Sequence, residues 1–102
     1  MEIVLDNIGT SYHFNASIEH KLNRIKQEVD FKQNNRVKFD CITKREREVI
    51  KKLVSGWSNP EIADQLFISK YTVEQHRKNI YRKLSIRSVP HLFQYALAFD
   101  LI

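Results

Sequence analysis

The chain has 102 residues, with 17 Lys/Arg against 12 Asp/Glu and a formal net charge of +5, room for one small domain and an appended helix. No apolar run approaches the roughly 20 residues of a membrane span, and no signal-peptide pattern opens the chain. The single cysteine, Cys41, excludes an internal disulfide, so a reducing cytoplasm is the expected setting. Charge is unevenly spread: residues 1–42 hold six Lys/Arg and six Asp/Glu, residues 43–102 eleven and six, so the whole excess lies in the C-terminal part. A localised positive field attracts and steers polyanions.

In chain order, Glu2–Phe14 reads as β-like, apolar and β-branched residues around an Asp-Asn-Ile-Gly break suited to a hairpin turn. Ser17 is the expected N-cap of a helix reaching about Lys32. Within it Ile18, Leu22, Ile25 and Val29 step by 4, 3 and 4, an a/d seam of about two heptads. That seam fits a dimer contact or packing on the helix's own domain. Polar Gln33–Lys38 reads as a linker, and Cys41 as a small residue entering the next helix rather than a nucleophile.

From Thr43 the signals sharpen. Thr43-Lys44-Arg45-Glu46 is a capping box, in which the Thr43 hydroxyl accepts from the Glu46 N–H and the Glu46 carboxylate reaches back. Val49, Ile50, Leu53 and Val54 form one apolar stripe, and Gly56 supplies a left-handed stop. Ser58 or Asn59 caps the next helix, with Pro60 in its first turn and Ile62, Ala63 and Leu66 inward. Phe67-Ile68 make a tight turn. Ser69 caps a basic helix running to about Leu84, whose core stripe is Val73, Ile80 and Leu84 with the aliphatic stem of Arg77. Ser88 and Pro90 open a last helix whose Leu92, Phe93, Ala96, Leu97 and Phe99 are too apolar to leave exposed. The expectation is an all-α, four-helix domain over 42–102, preceded by the β-like segment and linker helix of 1–41.

Two helices joined by a short turn, the second rich in Lys and Arg, form a helix-turn-helix that seats its second helix in the DNA major groove. With Val73, Ile80 and Leu84 inward, Tyr71, Glu74, Gln75, Lys78 and Arg82 share the opposite stripe. On the groove reading, Gln75 bonds adenine N6/N7, Lys78 guanine N7/O6, and Glu74 accepts from cytosine N4. Lys70, Thr72, Arg77, Arg82 and Lys83 are candidates for the phosphate backbone. The bland alternative for the same stripe is an ordinary solvated helix face.

The stretch ITKREREVIKKLVSGWSNPEIADQLFISKYTVEQHRKNIYRKLSIRS closely resembles the LuxR/GerE-type helix-turn-helix of bacterial transcription regulators. The matching features are T-x-R-E-x-E-V, G-x-S-N-x-E-I-A, I-S-x-x-T-V and H-x-x-N-I-x-x-K-L in one register, over about Ile42–Ile102. The resemblance implies four helices, base-facing positions at Glu74, Gln75 and Lys78, and Thr72, Val73 and His76 at the backbone–groove boundary. It also implies double-stranded DNA as ligand, a homodimer in which the last helix commonly takes part, and RNA polymerase as a further partner. The sequence departs at Glu74 and Pro60, where family members often carry Lys. Residues 1–41 are too few for a receiver, ligand-binding or PAS-like sensor. The chain is therefore expected to be either a piece of a longer sensor–regulator or a small regulator in its own right.

Enzyme signatures are absent from the sequence. His13, His20, His76 and His91 are scattered, without paired cysteines, an H-E-x-x-H or a Ser/His/Asp constellation, so no catalytic residue, cofactor or metal is expected. Trp57 reads as a core or edge anchor. The competing class is a protein-interaction module that uses the last helix and the 18–29 seam and binds DNA only non-specifically.

Overall fold

The computed structural model describes residues 16–102, and the β-like segment read over Glu2–Phe14 lies outside them. The described residues form five α-helices: α1 Ala16–Asp40, α2 Lys44–Val54, α3 Asn59–Leu66, α4 Lys70–Leu84 and α5 Val89–Ala98. The chain divides into two compact units, the first reaching Phe31 and the second spanning Lys32–Ile102.

In the first unit, Ala16–Phe31 is helical with Ser17 inside the first turn rather than ahead of it. Its residues from Ala16 to Asp30 are all exposed, the 18–29 seam included.

The second unit starts well before Ile42. The expected linker Gln33–Lys38 is helical, because it contains no Gly or Pro and because its inner side is held by tertiary contacts. The Phe39 ring is buried and stacks on Phe99 with centroids 4.2 Å apart. Lys32 and Arg36 lie over the Phe99 ring at 5.8 and 5.4 Å, and Arg47 over Phe39 at 4.9 Å. The Tyr95 hydroxyl can donate to Asn35 Oδ1, 3.0 Å from its oxygen, or to the Leu84 carbonyl oxygen at 3.2 Å. Polar composition alone does not break a helix when an aromatic anchor pins its end.

The core of this unit joins Phe39 and Ile42 to Val49, Ile50 and Leu53 of α2, Ile62 and Ala63 of α3, Val73, Ile80 and Leu84 of α4, and Leu92, Tyr95 and Ala96 of α5. α2 packs on both α4 and α5, and α3 packs on α4. The expectation that the apolar residues of the last helix are not left exposed fails for two of them. Phe93 is 41 % and Leu97 60 % exposed, because they sit one turn apart on the side opposite Leu92, Tyr95 and Ala96. Trp57 lies at the edge, with the Lys52 ammonium 4.3 Å from its ring.

The starts of α2, α3 and α4 follow the sequence. Thr43 Oγ1 accepts from the Glu46 N–H at 3.1 Å and Glu46 Oε1 from the Thr43 N–H at 2.9 Å. Ser58, not Asn59, is the N-cap of α3, and it forms a second capping box with Glu61, whose carboxylate accepts from the Ser58 N–H at 2.8 Å. That hydrogen bond lowers the Glu61 pKa. Ser69 caps α4 by accepting from the Thr72 N–H at 3.0 Å.

The ends of α2, α3, α4 and α5 share one device. Gly56, Phe67, Ser85 and Asp100 all have left-handed φ, at 91°, 57°, 56° and 58°. After each, the N–H of the next residue closes back on the last turn: Trp57 on Lys52, Ile68 on Ala63, Ile86 on Tyr81 and Leu101 on Ala96, at 2.8–3.0 Å. These are Schellman ends, each followed by a large apolar residue.

Candidate nucleic-acid interface

α3 and α4 are joined only by Phe67, Ile68 and Ser69. The turn is closed by the Ile68 N–H on the Ala63 carbonyl and by the Ser69 cap, so the entry of α4 is fixed from both sides. Ile62 and Ala63 of α3 are buried with Val73 of α4, which puts the apolar stripes of the two helices into one core. A strut crosses between them: the Arg77 guanidinium donates to Asn59 Oδ1 at 2.9 Å and to the Tyr81 hydroxyl at 3.1 Å.

The outer side of α4 is thereby left to solvent. Tyr71 is 68 % exposed, and Glu74, Lys78 and Arg82 are exposed with it, while Thr72, Gln75 and His76 are half-buried on the flank. Lys70 is exposed in the first turn, and Phe67 at the turn is 93 % exposed. Arg82 donates to Asn79 Oδ1 at 3.4 Å along the same helix.

Three residues read from the sequence as backbone contacts are placed otherwise. Val73 is fully buried and its N–H is given to the Ser69 carbonyl, so it has neither side chain nor backbone donor to offer a phosphate. Lys83 turns inward: its Nζ donates to Glu46 Oε1 at 2.8 Å, with side-chain exposures of 20 % and 4 % for the pair. Burial acts against ionisation of Glu46, but the Lys83 hydrogen bond and charge and the Thr43 donors outweigh it and hold its pKa below 4.5. Arg77 spends part of its guanidinium on the α3–α4 strut. No local signal separates Lys83 from Arg82. Only the long-range packing of α2 on α4 does so, and the Arg77–Asn59 bond, between residues 18 apart in sequence, is likewise set by tertiary packing.

What remains is a helix-turn-helix with a buried inner stripe and a polar, cation-bearing outer stripe on its second helix. Residues 40–96 match the family of bacterial regulatory proteins, luxR family. Over 59 residues the chain is 44 % identical to the oxygen regulatory protein NreC of Staphylococcus carnosus (strain TM300), covering 58 % of this chain and 27 % of that protein. Over 61 residues it is 46 % identical to the Fimbriae Z protein of Escherichia coli (strain K12), covering 60 % of this chain and 29 % of that protein. The match stays above half of this chain but spans less than a third of those relatives. The chain belongs to the luxR family of bacterial regulatory proteins, and its α3–α4 unit is the helix-turn-helix of DNA-binding transcription regulators.

Proposed function

We propose that the chain is a sequence-specific, double-stranded-DNA-binding transcription regulator that seats α4 in the major groove and acts by binding rather than by catalysis. The observation that carries this reading is the division of α4 into a core side (Val73, Ile80, Leu84) and an exposed polar side bearing Glu74, Lys78 and Arg82. Glu74, Gln75 and Lys78 are assigned to base edges, and Lys70, Thr72, His76 and Arg82 to the phosphate backbone. Arg77 is assigned to positioning α4 on α3, with its remaining N–H groups toward the backbone. The charge excess of residues 43–102 supports the same ligand.

Two copies on two half-sites, RNA polymerase as a further partner and a cytoplasmic place of action complete the proposal. Among the described residues no helix is long and apolar enough to cross a membrane. The test is selection of duplexes from a random pool by the full chain, followed by titration of the enriched and a scrambled duplex at two salt concentrations. An enriched motif bound far more tightly than its scramble supports the reading. Equal, salt-sensitive affinity for both would leave a protein-interaction module with non-specific DNA binding.

A further inference from the structure

Ile18, Leu22, Ile25 and Val29 of α1 stay 43 %, 51 %, 54 % and 49 % exposed although they repeat at 4-3-4 spacing on one side of the helix. The residues between them on the far side, His20, Asn23, Arg24 and Gln27, are all polar, so the stripe is one-sided. We propose that it is the seam of an antiparallel two-helix contact with a second copy of this chain. The contact needs no DNA and stands whether or not α4 reads bases.

The orientation follows from the heptad. Ile18 and Ile25 occupy d, Leu22 and Val29 occupy a, Glu19 and Lys26 occupy e, and Lys21 and Glu28 occupy g. In a parallel pair each g residue faces the e residue of the following heptad on the other helix, which sets Lys21 against Lys26 on both sides. Isoleucine at both d positions also fits a parallel dimer poorly, since that arrangement prefers Leu at d. Reversing one helix removes both objections. The layers become Ile18 with Val29 and Leu22 with Ile25, g residues meet g, and e residues meet e. Lys21 then faces Glu28 and Glu19 faces Lys26, each pair occurring twice, with no like charges opposed. In the single chain Lys26 reaches Asp30 at 3.6 Å, but both side chains are largely exposed, so the ammonium is available to exchange partners.

The test uses the full chain with Cys41→Ser as background. Ile18→Cys and Val29→Cys are made separately, and disulfide formation is followed alone and in an equimolar mixture. An antiparallel seam gives a cross-link between Ile18→Cys and Val29→Cys chains in the mixture and little in either alone. Efficient cross-linking of Ile18→Cys chains to each other means a parallel seam and overturns the proposal. Sedimentation equilibrium gives the second readout. Lys21→Glu and Glu28→Lys should each weaken self-association roughly tenfold, and the double variant should restore it. A tighter dimer with Lys21→Glu, or a mass unaffected by Leu22→Lys with Ile25→Lys, overturns the proposal. So does a monomer with no cross-link, the result if residues 1–15 or another protein covers the stripe.

Discussion

Lys83 and Glu46, 37 residues apart in sequence and 2.8 Å apart in space, fasten the last turn of α4 to the first turn of α2. One carboxylate oxygen, Glu46 Oε1, serves both this ion pair and the capping box, accepting from Lys83 Nζ and from the Thr43 N–H. A helix start and a long-range tie are thus the same interaction.

Lys83→Ala should therefore act on folding. It leaves Glu46 buried without its cation and should destabilise the domain by about 2–3 kcal/mol in urea denaturation. Replacing the pair together, Lys83→Met with Glu46→Gln, should recover much of that loss. If Lys83→Ala instead leaves the unfolding midpoint unchanged and lowers DNA affinity, the inward placement is wrong.

The same pair sets an acid limit. Because the folded pKa of Glu46 lies below 4.5, its contribution to stability is complete above about pH 4.5 and is lost as pH falls through the folded value. Glu61 shifts in the same direction through its Ser58 bonds and adds to the slope. Tyr95 governs the opposite edge: burial raises its pKa above 10.0, so stability declines as pH climbs past that point and the unfolded chain ionises. Chemical denaturation of wild type and Glu46→Gln between pH 3 and 6 checks the acid limb, which should be flatter in the variant.

Phe67 holds a left-handed φ of 57° with its ring 93 % exposed, so it bears backbone cost without packing return. Phe67→Gly should stabilise the domain by about 1 kcal/mol, since glycine adopts this conformation freely. Thermal unfolding followed by circular dichroism measures it. A lower melting temperature would mean that the ring is held by contacts the exposed turn does not show.

Lys78 and Arg77 are neighbours with different work. Lys78→Ala should cost about 1–3 kcal/mol on the selected duplex and little on a scrambled one, because its exposed ammonium is the one assigned to guanine. Arg77→Met removes the bonds to Asn59 and Tyr81 and should weaken both duplexes and lower stability together. Parallel titrations of the two variants separate them. Equal losses on both duplexes for Lys78→Ala would reduce Lys78 to a phosphate contact.

Where the physics is local, the sequence was readable. Thr43, the Ser58-Asn59 pair and Ser69 announce three helix starts because a cap needs only residues within one turn, and Val73, Ile80 and Leu84 announce the core side of α4 through periodicity alone. The helical course of 33–38 was not readable, because it depends on Asn35 meeting Tyr95 and Phe39 meeting Phe99 some sixty residues later in the chain. The same holds for Lys83, chemically indistinguishable from Arg82 until α2 is packed beside α4. Phe67 hides for the reverse reason: its left-handed turn carries no glycine to mark it.

The repeated left-handed helix ends have a thermodynamic consequence. Each reversal between α2 and α5 is closed by its own backbone hydrogen bond and its own apolar residue, so the joints carry little conformational freedom before any ligand arrives. For the α2–α5 part, association with DNA is then expected to proceed without the ordering entropy of a folding-on-binding segment. The heat-capacity change of binding, measured by calorimetry across a range of temperatures, should correspond to the surface covered at the interface alone, with no surplus from residues that fold upon contact.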